Sequence, residues 1–335
     1  MAGAVYDRGY RGYEGDRGGR AAARWALFRY SVRRALGIRR PWRQKVAPFV
    51  LLGLATVPAI VWVGVAYVTR DTPASNVELI SYREYVGVGM VLLVFVALTA
   101  PDIMCPDRRQ HVLPLLFARP LTGIDYVLTK VGAMFAILFA FSFLPQVVLF
   151  VGQMLVSDDG ALRYARDNAE VIWQVPIAVA FLSIFYASVG VAIASLTSRR
   201  IIAGASIIGL FLVTSIVSAA LVGGDSVQES DKGKITAPPA TMTTVTNEEG
   251  EIVFIPPSNL DEPPVVIDRE PKASGLVNLL VLPLRLRDLV FLGELDPEDP
   301  VSGVDNGGLY AVILFLTIVI GAFVVLFVRY DEVER

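Results

Sequence analysis

The sequence predicts an all-α polytopic membrane protein: six transmembrane helices, an amphipathic helix before the first, and a partly structured loop before the last. Three observations predict it. The 335 residues are 54% hydrophobic with a mean hydropathy of +0.56, more apolar than a soluble surface tolerates without aggregating. Only 19% are charged, against roughly 25% in soluble domains. The apolar residues are also blocked together, with the charges swept into the gaps between blocks.

Crossing the hydrocarbon core takes about 20 apolar residues. The expected spans run from Val46 to Thr69, Tyr85 to Ala100, Val131 to Val156, Val171 to Thr197, Ile201 to Val222 and Leu309 to Val328. The second is short and borrows length from its flanks. None of these cores holds Asp, Glu, Lys, Arg or His. The chain thus divides into a disordered tail (1–22), an amphipathic segment (23–45), five spans (46–222) with a loop at 101–130, a long loop (223–308), a sixth span (309–328) and a short tail (329–335). The Gly-, Arg- and Tyr-rich start has no apolar core until the mid-forties, which is too late for a standard signal peptide. It reads as a solvated tail rather than a nucleic-acid binder, having too little apolar surface to repay ordering.

Loop charges set the orientation. Residues 1–45 carry twelve bases against three acids. Arg108, Arg109, Arg119 and Lys130 follow the second span, and Arg199 and Arg200 follow the fourth. The positive-inside rule makes that face cytoplasmic. The opposite face receives Asp158, Asp159, Asp167 and Glu170, then the 223–308 loop, where acids outnumber bases by ten. Six spans place both termini in the cytoplasm.

Within 23–45, Trp25, Phe28, Val32 and Ala35/Leu36 repeat at helical spacing, with Arg24, Arg29, Arg33 and Arg34 around the rest. Such a helix lies in the membrane interface with its arginines toward anionic headgroups. Gly37 and Pro41 end it. In the long loop, 241–246 and 251–255 alternate around Asn247-Glu248-Glu249-Gly250, the pattern of a β-hairpin with a four-residue turn. Leu276–Leu292 is apolar but broken by Pro283, Arg285 and Arg287, which suits an interfacial or re-entrant helix better than a seventh span.

No catalytic constellation assembles. With His111 as the one histidine and Cys105 as the one cysteine, zinc sites of the HExxH type, disulfides and thiolate clusters are excluded, and no metal ligands are assigned. Gly233-Lys234-Ile235-Thr236 lacks the upstream glycine and the adjacent Ser/Thr of a P-loop. The charge-free spans also argue against ion coupling, which needs intramembrane carboxylates or histidines. Transport would have to draw its energy from a partner. The place for a partner to push is the loop after the second span, DRRQHVLPLLFARPLTGIDYVLTK, whose short apolar run is framed by charges and suits a groove on another protein; lying flat on the bilayer is the alternative.

This loop resembles that of the ABC-2 type transporter permeases. In that family an acidic residue and two arginines precede a Leu-rich stretch, then Arg-Pro-Leu-Ser/Thr, an aromatic and a lysine. Asp107, Arg108, Arg109, Leu113, Leu115, Arg119, Pro120, Leu121, Thr122, Tyr126 and Lys130 match. Gln110-His111-Val112 stands where Gly-Thr often follows the arginines, and Thr129 where Gly often precedes the lysine. The six spans, inside termini, basic leading helix and large outer segment agree as well.

The resemblance implies the permease subunit of an ATP-driven exporter with no catalytic site or cofactor of its own. A second permease copy and cytoplasmic ABC ATPase subunits carrying ATP and Mg would be its partners, in the plasma (inner) membrane of a bacterium. Asp107, Arg108, Arg109, Leu113, Leu115, Arg119, Pro120, Tyr126 and Lys130 would form the ATPase-coupling loop. Trp25, Phe28, Arg29, Val32 and Arg33 would belong to an elbow helix moving with it. Gly190/Ala194 and Ala205/Gly209, spaced by four, would let helices approach closely, within one subunit or between two. A membrane anchor or scaffold displaying its outer loop is the alternative from another class.

Overall fold

A computed structural model describes residues 18–38, 42–69, 81–86, 89–110, 112, 113, 116, 121–157, 160–229, 243–246, 252–255 and 273–334. The helices in chain order are α1 (Arg20–Ala35), α2 (Trp42–Thr69), α3 (Tyr82–Tyr85), α4 (Gly89–Arg109), α5 (Gly123–Val156), α6 (Ala161–Asp167), α7 (Ala169–Leu196), α8 (Arg200–Glu229), α9 (Leu282–Leu292) and α10 (Gly307–Glu334). Six segments are long and apolar enough to cross a membrane: α2, α3 with α4, α5, α7, α8 and α10. A 3-10 turn at Ala273–Val277 precedes α9. Strands β1 (Thr243–Thr246) and β2 (Ile252–Ile255) pair antiparallel with Thr246 opposite Ile252. That register puts five residues, not four, between the strands.

The packing has a centre and a rim. The most apolar windows of the α3–α4 span and of α7 are 75% and 72% buried, against 11% for α2 and 17% for α8. Aromatic contacts tie the rim to the centre. Phe95 stacks on Phe141, joining α4 to α5 with ring centroids 4.0 Å apart. Phe185 of α7 stacks on Phe315 of α10 at 5.5 Å and meets Phe211 of α8 edge-on at 6.3 Å.

Prolines and small residues mark the close approaches. Pro101 has no N–H for the Ala97 carbonyl four residues earlier, and α8 comes in against that carbonyl. A Cβ added at Gly204 would stand 2.8 Å from the Ala97 oxygen. Gly190 presses on Val96 and Ala100 of α4, so the Gly190/Ala194 pair serves packing within the chain. Ala205 is exposed and Gly209 has open space around it; the close contact of α8 belongs to Gly204 instead. Next to Pro58 in α2, the buried Tyr85 hydroxyl donates to the Ala55 carbonyl and accepts from the Ala59 N–H at 3.2 Å. A side chain set on the backbone ladder beside a proline is a recurring way to hold a helix bend.

Three of the boundaries that differ from the sequence reading do so for one reason. Charge-based reading ends the second span at Ala100 and starts the third at Val131, whereas α4 continues to Arg109 and α5 begins at Gly123. The first helix starts at Arg20, inside the segment assigned to the tail. Each extension carries charged residues in helix that satisfy one another inside the fold.

Candidate functional site

The extended ends of α4 and α5 form the centre of a polar joint at the arginine-rich end of the bundle. α5 starts where it does because Thr122 and Asp125 make a reciprocal capping box. The Thr122 side chain accepts the Asp125 N–H at 3.3 Å, and the Asp125 carboxylate accepts the Thr122 N–H at 3.3 Å. This satisfies two of the orphan donors of a helix start. Asp125 then faces α1, where Arg20 Nε reaches its Oδ2 at 2.5 Å and Arg24 stands 3.7 Å from its Oδ1.

One and a half turns further along α5, Lys130 is wholly buried and Asp107 of α4 is 2% exposed. Lys130 Nζ lies 2.5 Å from Asp107 Oδ2 and donates to the Ile103 carbonyl at 3.0 Å. Tyr126 donates its hydroxyl to the same carboxylate oxygen at 3.0 Å, and its ring packs 4.9 Å from that of Tyr330 on α10. Arg34 of α1 approaches the other carboxylate oxygen at 3.7 Å. Three helices therefore meet on one aspartate, and a fourth, α10, packs on Tyr126 beside it. Neither Lys130 nor Asp107 alone is tolerable at this depth, and pairing is what makes burial of both possible.

Two further contacts close the joint. Arg200, at the start of α8, reaches Asp102 of α4 at 2.5 Å. Arg108 donates to the Ser195 carbonyl near the end of α7, one of the carbonyls a helix C-terminus leaves without an intrahelical partner. Among the described residues no cluster of three or more His, Cys, Asp or Glu side chains is placed to hold a metal.

The docking-loop residues therefore fall into three sets. Asp107, Leu113, Tyr126 and Lys130 are buried, and the charges of Asp107 and Lys130 and the Tyr126 hydroxyl are taken up inside the chain. Arg108 is partly buried on Ser195, while Arg109 is exposed. Leu115, Arg119 and Pro120 lie outside the described residues.

The leading helix also differs from its helical-wheel reading. Leu27, Ser31 and Ala35 are its buried residues, so of the Trp25, Phe28, Val32 and Ala35/Leu36 stripe Ala35 is buried, Val32 and Leu36 pack partly against the core, and Trp25 is left outside. Trp25 is 59% exposed and stacks on Phe28 at 5.3 Å. Phe28 and Val32 are half-buried, Arg29 is exposed, and Arg33 is half-buried. Ser31 turns inward because its hydroxyl donates to the Leu27 carbonyl at 2.9 Å, which leaves no unpaired polar group on the buried face.

Sequence reasoning missed Asp102, Asp125, Arg20 and Arg34 as members of the joint. The Thr-x-x-Asp spacing at 122–125 is the one local signal that reveals Asp125 and the early start of α5. The other partners lie 73 to 105 positions apart or on separate helices, beyond any spacing rule. No family model, curated protein or solved structure matches this chain, so its functional reading rests on the joint and on the residues of the turn it supports.

Proposed function

We propose that the chain is the membrane-spanning subunit of an ATP-driven transporter, an exporter of the ABC-2 permease type, driven by a separate cytoplasmic ATPase. The observation that carries the reading is the buried Asp107–Lys130 pair, with Tyr126 and Arg34 on the same carboxylate. It fastens the adjoining ends of α4 and α5 to α1 and, through Tyr330, to α10. A push on those helix ends is handed to several helices at once. In this reading the arginine-rich end faces the cytoplasm of a bacterial cell, both termini lie there, and two copies pair in the plasma membrane. ATP and Mg belong to the partner.

The exposed Arg109 and Gln110, rather than the buried residues, meet the ATPase, and the buried pair transmits its movement. Affinity purification of the tagged chain from its own membranes tests this. An ATPase with Walker motifs should co-purify. Arg109→Glu should reduce its recovery, while Asp107→Asn with Lys130→Met should retain the ATPase but uncouple ATP turnover from transport. If no ATPase co-purifies, the reading fails.

A second reading, a membrane scaffold displaying its far-end segment, is favoured by one observation. Arg285 is 2% exposed and holds Asp299 through two contacts, at 2.8 and 3.0 Å, so that segment has a specified shape of its own. Stable capture of an extracytoplasmic protein, with no ATPase, would favour it.

A further inference from the structure

The leading helix carries two unexplained features side by side. On one face Arg29, Arg33 and Arg34 line a pocket of about 510 Å³ that also takes in Tyr30 and Gln110. Arg34 is engaged by Asp107 and by the Tyr30 hydroxyl and ring. Among the described residues, neither Arg29 nor Arg33 has a carboxylate partner. They stand one turn apart on the helix, where like charges repel, and an anion between them would remove that cost.

On the neighbouring face Phe28, Val32 and Leu36 roof a groove of about 270 Å³. Its walls come from α2 at Pro48, Phe49 and Leu52 and from α5 between Ala136 and Leu144. Those eight steps of α5 measure about 12 Å along the helix, a length suited to the upper part of an acyl chain. Trp25 and Phe28 stack between the two faces, as interfacial aromatics do at headgroup level.

We propose that α1 binds one anionic phospholipid, its phosphate on Arg29 and Arg33 and one acyl chain in the groove between α1, α2 and α5. Arg34 adds positive charge but is held mainly by Asp107. A neutral or zwitterionic lipid would fill the groove and leave the two arginines facing each other. Bulk lipid wets any apolar flank, so preference for the anionic headgroup is the distinguishing property. The site does not depend on the ATPase reading and can fail or succeed separately from it.

The test uses the full chain with Trp25 as its one tryptophan (Trp42→Phe, Trp62→Phe, Trp173→Phe) in nanodiscs. Phosphatidylglycerol or phosphatidylcholine, brominated on its acyl chains, is titrated into an unbrominated phosphatidylcholine background. Brominated phosphatidylglycerol should quench Trp25 at an about tenfold lower mole fraction, given two adjacent arginines at the interface. Arg29→Gln with Arg33→Gln should erase the preference, and Arg29→Lys with Arg33→Lys should keep most of it, which separates lost charge from a damaged fold. Inorganic phosphate should leave the preference unchanged. Equal quenching by the two lipids overturns the proposal and points to another anion, such as an acidic protein segment. Loss of the preference on adding inorganic phosphate overturns it in favour of a site for a soluble anion.

Discussion

Both ends of the bundle bury charge, but they connect different things. At the arginine-rich end the paired residues come from α1, α4, α5 and α8, and the partners Arg20 and Asp125 are 105 positions apart. At the far end most of the network lies within one stretch. Arg285 binds Asp299 and the Gly275 carbonyl, and Arg287 binds Asp288. Arg83, on Asp296 at 2.7 Å and Asp288 at 3.7 Å, and Arg287, on the Val86 carbonyl, tie that stretch to the segment before α4, and Tyr186, Ser215 and Ser218 bond it to α7 and α8. One network is a joint between spans; the other is a cap whose ion pairs lie mostly within one stretch, seated on α7 and α8 by single hydrogen bonds. The difference teaches where motion can go. Disturbing the first should change how spans sit against one another, and disturbing the second should loosen a local element and leave the spans alone.

The largest expected effect separates the two. Lys130→Met removes the main partner of a buried carboxylate and should destabilise the protein by about 3–5 kcal/mol. Cys105 reports it, being the chain's one cysteine, buried on α4 near the joint. Its reaction with a maleimide during a thermal ramp should move to lower temperature, and Asp107→Asn in the same chain should restore part of the loss. An unchanged thiol profile in Lys130→Met would mean that the joint does not hold the spans.

Much of this contrast was legible in the sequence, and the illegible part has a physical explanation. Six spans follow from apolar blocks, because lipid imposes length and composition on each helix separately. The break at Pro283, Arg285 and Arg287 likewise kept the stretch from Leu276 to Leu292 out of the membrane count. What could not be read is pairing. Asp107 and Lys130 look like loop charges because a lone charge does not belong in a span, and a single sequence does not show that the two cancel. Two of the residues that suggested a docking surface, Asp107 and Lys130, are among the most buried ions described. Arg109 alone among the matching charges described keeps its exposure.

The far-end pair should give a somewhat smaller and differently placed effect. Arg285→Met leaves Asp299 without its two-point partner, though with the Val301 N–H still at 2.8 Å. A loss of about 3 kcal/mol, at the low end for broken buried pairs, should appear as protease cutting within 273–306. Cys105 labelling should stay as in the parent. Labelling that rises together with proteolysis would merge the two networks into one unit.

The cap should also answer to pH in two opposing ways. Burial pushes the Asp288 carboxyl up, against the pull of Arg287 and Arg83. The Glu298 backbone N–H, opposed by burial and aided by Arg83, holds the Asp296 carboxyl below the usual range. The Asp288 contribution is complete below the ordinary carboxylate value of about 3.9 and is lost as pH rises through its higher folded value. The Asp296 contribution is complete above about 3.9 and is lost as pH falls through its lower folded value. Cap order, read as the anisotropy of a label at Glu294→Cys, should therefore be greatest in the acidic range between those two folded values. Asp296→Asn should remove the fall on the acid side, and Asp288→Asn the fall toward neutral pH. A flat profile in the parent would show that neither carboxylate governs the cap.

The smallest effect tests whether the joint is graded. Arg20 is half exposed, and its removal leaves Asp125 with Arg24 at 3.7 Å and the Thr122 N–H at 3.3 Å. An exposed arginine with such replacements contributes about 0.5–1 kcal/mol, and salt should weaken it further. Arg20→Gln should shift the Cys105 profile only slightly, and the shift should shrink at high ionic strength. Lys130→Met should keep its full effect in the same salt, since water and ions do not reach that pair. An Arg20→Gln effect as large and as salt-resistant as that of Lys130→Met would mean that the seat of α1 on Asp125, rather than the buried pair, holds the spans in place.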